Sequence, residues 1–209
     1  MSLAPPASRT LPRDMRRPRK TSYHHGNLHA ALLEAALDSV RELGVGAISL
    51  REVARRAGDS HAAPAHHFGD KAGLLTSLAA QGFERFGASL NEGAARGGSD
   101  AKQRLAWVGW AYVMFAAEHR AYFEIMFRPE LLHYSDPTLA QAASSAYQIL
   151  LDAVRALRPD ANEEEIDLLA TRSWAEVHGL ATLWLHGNLK QHASRADLDK
   201  LVRRLCGLP

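Results

Sequence analysis

The sequence predicts an all-α protein: a small three-helix head followed by a larger helical body. Two observations carry this reading. Apolar residues recur at helical spacing over most of the chain, and no alternating strand pattern with hairpin signals breaks them. Residues 49–71, SLREVARRAGDSHAAPAHHFGDK, read as two short helices around a tight turn and the start of a third.

Taken in order, residues 1–22 are expected to be a disordered basic arm. Pro5, Pro6, Pro12 and Pro18 break helix there, and Arg9, Arg13, Arg16, Arg17, Arg19 and Lys20 repel one another. The first helix is predicted over 27–43, with Leu28, Leu32, Ala35, Ala36, Val40 and Leu43 as its buried stripe. Gly44 and Gly46 stop it. Ser49 and Glu52 have the spacing of a capping box, so the second helix starts at Leu50. Leu50, Val53, Ala54 and Ala57 form its buried face. Gly58 ends it, because glycine enters the left-handed region without penalty. Ser60 is the expected cap of the third helix, with Pro64 near its start. A fourth helix begins near Lys71, carries Leu74, Leu75, Leu78, Phe83 and Phe86, and is long enough to enter the body. Residues 92–100, with Gly93, Gly97 and Gly98, read as a linker. Five further helices are predicted at about 101–118, 120–127, 137–157, 162–187 and 195–206, punctuated by Pro129, Pro137 and Pro159. The division of the chain is therefore an arm to residue 22, a head over 23–87 and a body over 88–209.

The third helix is short, small and polar, and buries little by itself. Its outer face suits the major groove of DNA better than a core. With Tyr23-His24-His25-Gly26-Asn27-Leu28 before it and Phe68, Asp70, Lys71, Leu74 and Leu75 behind, residues 20–87 resemble the helix-turn-helix domain of the TetR-type transcriptional regulators. The resemblance implies a ligand-responsive homodimer, in the usual case a repressor released from a palindromic double-stranded DNA operator by a small apolar effector. The alternative is a helical small-molecule carrier or enzyme that uses a body cavity without specific DNA binding. Against it, no carboxylate pair, nucleophile–base set or Gly-rich phosphate loop sits at a workable spacing, and the basic arm would be unexplained.

Reading DNA needs groups that reach base edges and cations or helix N-termini that hold phosphates. Ser60 and His61 are placed at the first turn of the reading helix, where its dipole favours a phosphate, and His66 and His67 follow. Ser49 and Arg51 open the second helix and are further phosphate candidates. Lys71 stands where the family typically holds a phosphate. Two departures from the family pattern matter. Ala65 replaces a common tyrosine that grips the backbone, and Asp59 replaces a small apolar residue and adds negative charge, unless Arg55, Arg56 or the arm compensates.

In the body, Trp107, Trp110, Met114, Phe123, Met126, Phe127, Tyr147, Trp174 and Trp184 recur at helical spacing, and most are read as core. The family encloses a ligand cavity here, and Trp110, Met114, Trp174 and His178 are the expected wall. The stretch Trp174-Ala175-Glu176-Val177-His178-Gly179 resembles a C-terminal subtype named for a Trp-His-Gly signature. The family also dimerises through its last helices. Leu180, Leu183, Trp184 and Asn188 mark one candidate seam, and Leu198, Leu201, Val202 and Leu205 another.

Composition narrows the field. The 209 residues are 46% apolar, enough for a real core. Residues 1–90 hold 12 Lys and Arg against 8 Asp and Glu, and residues 91–209 hold 13 against 15. The positive excess sits with the head, as expected of a phosphate binder. The longest apolar stretch, 105–117, is too short to span a membrane, and the N-terminus lacks an apolar signal core. The lone Cys206 builds no disulfide within the chain, which fits a cytoplasmic protein. His25 and His29 have a chelating spacing but no Cys or acidic partner, so no metal and no cofactor is expected.

Overall fold

The computed structural model describes residues 25–189 and 194–209, so the basic arm lies outside the described residues. Among them, nine α-helices run in order: α1 (His25–Leu43), α2 (Leu50–Ala57), α3 (Ala63–Phe68), α4 (Lys71–Arg96), α5 (Ala101–Glu118), α6 (Arg120–Met126), α7 (Pro137–Leu157), α8 (Glu163–Leu185) and α9 (Arg195–Cys206). Short 3-10 turns cover Val45–Ala47 and Pro129–Leu131. No strand occurs among the described residues.

In the head, α1 buries Leu32, Leu33, Ala36, Leu37 and Val40. Leu43, expected in that stripe, is 49% exposed, because the helix ends there and Gly44 turns the chain away at φ 78°. Helix α2 drives Val53 and Ala54 fully out of solvent. Gly58 closes it in the left-handed conformation, φ 68°, with its N–H bonded back to the helix end. Asp70 caps α4 by accepting the Gly73 N–H at 2.8 Å.

Helix α4 spans 26 residues, about 39 Å at the usual rise. It packs on α1 and α3 of the head and on α5, α6 and α7 of the body, with Gly73 near its start against Phe68 of α3, and Gly82, Gly87 and Gly93 further along against α6, α7 and α5. The expected boundary at residues 87 and 88 therefore falls inside a helix. So does the start of the linker read at 92–100, since helix continues to Arg96. Gly93 is the reason: its missing side chain lets α4 meet α5, where an added Cβ would lie 2.6 Å from the Trp107 carbonyl oxygen. The turn is confined to the few residues before α5, which Asp100 caps through the Lys102 and Gln103 N–H groups.

In the body α5 lies at the centre, against α4, α7, α8 and α9. Asn162 and Glu165 form a reciprocal capping box at the start of α8. Helix α9 seals a small core of Val113, Met114, Leu198 and Val202. At the joint of α4, α5 and α9 the Arg96 and Arg203 guanidiniums lie 4.8 to 5.7 Å from the ring centres of Trp107 and Trp110, within cation–π range.

Candidate nucleic-acid interface and body cavity

Ser49 and Arg51 are exposed at the N-terminus of α2. Ser49 Oγ accepts the Glu52 N–H at 3.3 Å, but the reciprocal half of the capping box does not form. Competing cations take the carboxylate instead. Glu52 accepts from Arg55 at 2.7 and 2.8 Å and from Arg56 at 2.7 Å, and Arg56 reaches on to Glu42 of α1 at 2.6 Å. The Arg55 and Arg56 guanidiniums hold the Glu52 carboxyl down at about 2. Both arginines expected to offset Asp59 are thus engaged with carboxylates inside the head. Asp59 is also engaged locally, its Oδ1 accepting the Ser60 N–H at 2.6 Å.

Ser60 and His61 are exposed, but they lie in the turn before α3 rather than in its first turn. Ser60 is not the cap. Ala62 takes that place without a side-chain bond, and the Ser60 carbonyl accepts the Ala63 N–H at 3.0 Å. Pro64 at the helix start has no N–H, so one of the groups a cap would serve is missing. Ala65 and His66 are exposed. His67 is half-buried, its ring 5.8 Å from His29, while Phe68 lies 4.9 Å from the same ring. Lys71 Nζ donates to the Gly46 carbonyl at 2.9 Å, which ties the start of α4 to the turn after α1.

The body holds a cavity of about 950 Å3 between α4, α5, α7 and α8, with the end of α9 at its edge. Phe86, Tyr112, Phe127, Tyr147, Trp174 and His178 contribute to its wall. Lys102 and Glu176 are the charged groups on that wall among the described residues, and both are exposed. Helix α5 faces the cavity with Leu105, Val108, Gly109 and Tyr112. Trp110 and Met114, expected in the wall, sit on another face of the same helix. Trp110 Nε1 donates to Asp199 of α9 at 2.7 Å, and Met114 packs against Leu198 and Val202. Trp174 and His178 do line the cavity.

The residue that sequence reading missed is Tyr112. Its hydroxyl lies 2.7 Å from His178 Nδ1, and the Trp174 Nε1–H donates to it at 3.1 Å. Burial pushes the Tyr112 phenol well above its usual range and pushes His178 down. His178 also packs on Phe123 and Phe127, with ring centres 5.4 and 4.8 Å away.

His119, between α5 and α6, is lowered as well, by burial first and by Arg85 and Arg41 next. Both imidazoles thus titrate below their ordinary value of 6.5 in the folded chain. In that window the unfolded chain binds more protons, so stability is full above pH 6.5 and is lost as pH falls through the folded values. The melting temperature is expected to drop between pH 7 and pH 5, and to drop less in the His119→Phe/His178→Phe double variant. An equal drop in both proteins contradicts this.

The expected dimer seams divide. Leu183 and Leu205 are exposed, at 46% and 65%, whereas Leu198 and Val202 are fully buried within the single chain. Those two belong to the core under α9. Leu180, Trp184 and Leu201 are half-buried, and Asn188 is exposed.

A helix-turn-helix head joined by one continuous helix to a cavity-bearing helical body is the architecture of a class of DNA-binding regulators. Family models agree with it over both parts. Residues 32–78 match the model described as bacterial regulatory proteins, tetR family, and residues 105–207 match that of the tetracyclin repressor-like C-terminal domain. The chain belongs to the TetR family, whose members are DNA-binding transcriptional regulators and not enzymes. Among solved structures, it resembles a protein of unknown function from Rhodococcus sp. RHA1, at 32% identity over 90% of this chain and 96% of that one, TM-score 0.74. A tetR-family transcription regulator from Shewanella sp. PV-4 shares the fold at 20% identity, 86% and 95% coverage and TM-score 0.66. A tetR-family bacterial regulatory protein from Rhodococcus RHA1 shares it at 21% identity, 90% and 95% coverage and TM-score 0.63. None of the curated proteins matches the sequence significantly. No described helix is long and apolar enough to cross a membrane.

Proposed function

We propose that this regulator is a homodimeric repressor that leaves a palindromic operator when a small, largely apolar molecule fills the body cavity. The observation that carries the reading is the double role of α4. Its Phe83, Phe86 and Leu90 line the cavity, while the same helix packs on α1 and α3 of the head. A second link runs beside it. The loop before α7 lines the cavity with Pro129 and Tyr134, and between them His133 N–H donates to Thr76 of α4 at 2.9 Å, with its Nε2 3.0 Å from the Asp70 carboxylate. A molecule that fits one position of α4 better than the other shifts the head between two states, and the coupling is reciprocal.

In this reading Ser49, Arg51, Ser60, His61, His66, His67 and Lys71 form the DNA-facing set. Lys71 must exchange its bond to Gly46 for a phosphate. The basic arm adds phosphate contacts, and Leu183 and Leu205 meet a second copy of the chain. The experiment is a thermal-shift screen of apolar molecules, followed by DNA binding with each hit. A hit that raises the melting temperature is expected to lower operator affinity by roughly 5–150-fold. Hits that stabilise the chain without touching DNA affinity contradict the coupling.

A further inference from the structure

The wall of the cavity carries a chain of hydrogen bonds through Trp174, Tyr112 and His178. An indole N–H can only donate, so Trp174 occupies a lone pair of the Tyr112 hydroxyl. The single Tyr112 proton is then free to point at His178 Nδ1, 2.7 Å away. The Tyr112 hydroxyl has no other acceptor for that proton among the described residues, so the fully satisfied arrangement has Nδ1 accepting, and a neutral imidazole then carries its own proton on Nε2. Nε2 has no hydrogen-bond partner among the described residues. Nor is it sealed, since no buried side-chain nitrogen or oxygen lacks a partner there. His178 lines the cavity, so this open N–H is a donor presented to whatever occupies it. Around it stand Phe123, Phe127 and Trp174.

Resting on the cavity reading above, we propose that the effector is an uncharged aromatic or polycyclic molecule bearing an acceptor oxygen of the carbonyl type, and that His178 Nε2–H receives that oxygen. The charge pattern supports the uncharged class. Lys102 and Glu176 are exposed and of opposite sign, which leaves no net charge to hold an ion. An anionic head group would favour an imidazolium with Nδ1–H, which conflicts with the proton that Tyr112 delivers. A cationic one would face the N–H dipole head on.

The test uses the full chain and three probes of one shape: benzophenone, diphenylmethane and diphenylacetate. Equilibrium dialysis is expected to show benzophenone bound about 2–10-fold more tightly than diphenylmethane, the range of one net hydrogen bond, with diphenylacetate weakest. In His178→Phe the preference for the ketone should vanish. Long-range proton–nitrogen correlation on the nitrogen-15 protein, with His178 assigned by its loss in that variant, should show Nε2 protonated and Nδ1 bare near neutral pH. Tyr112→Phe should then mix the two forms. Equal binding of ketone and hydrocarbon overturns the proposal and leaves the apolar cavity standing. A protonated Nδ1 in the native chain overturns it whatever binds. If none of the three probes binds, the cavity reading fails together with it.

Discussion

Gly73→Ala is expected to unseat the reading helix. Gly73 is the third residue of α4, and an added Cβ would lie 2.0 Å from the Phe68 carbonyl oxygen and 3.2 Å from its carbonyl carbon. Phe68 is the last residue of α3, so the obstacle is backbone and cannot rotate away. Alanine is the better helix former by about 1 kcal/mol, but overpacking costs about 1–3 kcal/mol even where side chains can move. Against a fixed carbonyl at that distance the clash wins. The joint between α3 and α4 must open, which also strains the Asp70 cap and carries His66 and His67 with it. The melting temperature should fall by several degrees, and DNA affinity should fall by tenfold or more. Ligand binding in the body should survive, because the cavity lies along the far part of α4. A variant with native affinity for DNA and a native melting curve contradicts this account of the head.

Trp174→Ala is expected to abolish the effector's action while leaving operator binding intact. The indole forms part of the cavity wall, with Phe127 and Tyr147 ring centres 6.3 and 6.0 Å away, and supplies the bond that orients Tyr112. Its hydrogen-bond and ring partners among the described residues all belong to the body. Losing a fully buried tryptophan costs about 3–5 kcal/mol, and the cost here should be smaller because Trp174 is 38% exposed. A melting curve separates lost function from lost fold. A folded Trp174→Ala chain that still releases DNA at an unchanged effector midpoint shows that the effector does not bind against this wall.

The head was legible because its signals are local. Ser49 and Gly58 each act through the backbone of their own turn, and both sit where the sequence placed them. Local reading failed where a distant or competing partner decided the outcome. Glu52 has capping-box spacing, yet Arg55 and Arg56 take its carboxylate. Ser60 has cap chemistry, yet it opens a turn that closes on Ala63, the first residue of α3, and Ala62 takes the cap position. Helix α4 outlives its glycines because Gly93 serves close packing against Trp107, a contact no single segment reveals.

The cavity was half legible for a related reason. Helix α5 is apolar around much of its circumference, so its sequence does not say which face meets α9 and which meets the cavity. Trp110 and Met114 were drawn to the wrong face by their size. Nothing local sets Tyr112 apart from the other aromatic residues of α5. What marks it is His178, 66 residues later, and Trp174, 62 residues later, which only the packing of α8 on α5 brings to its hydroxyl.

The most direct measurement is a selection of bound DNA from a pool of random duplexes by the full chain, followed by sedimentation of the selected complex. The account predicts an inverted repeat whose half-site centres lie about 34–36 Å apart or at a multiple of that distance, with two chains on each duplex. It also predicts a steep salt dependence. Deleting residues 1–20 should flatten it by about 0.9 in log–log slope for each phosphate that the arm neutralises. A pool that stays random, or one chain holding one half-site at full affinity, would contradict it.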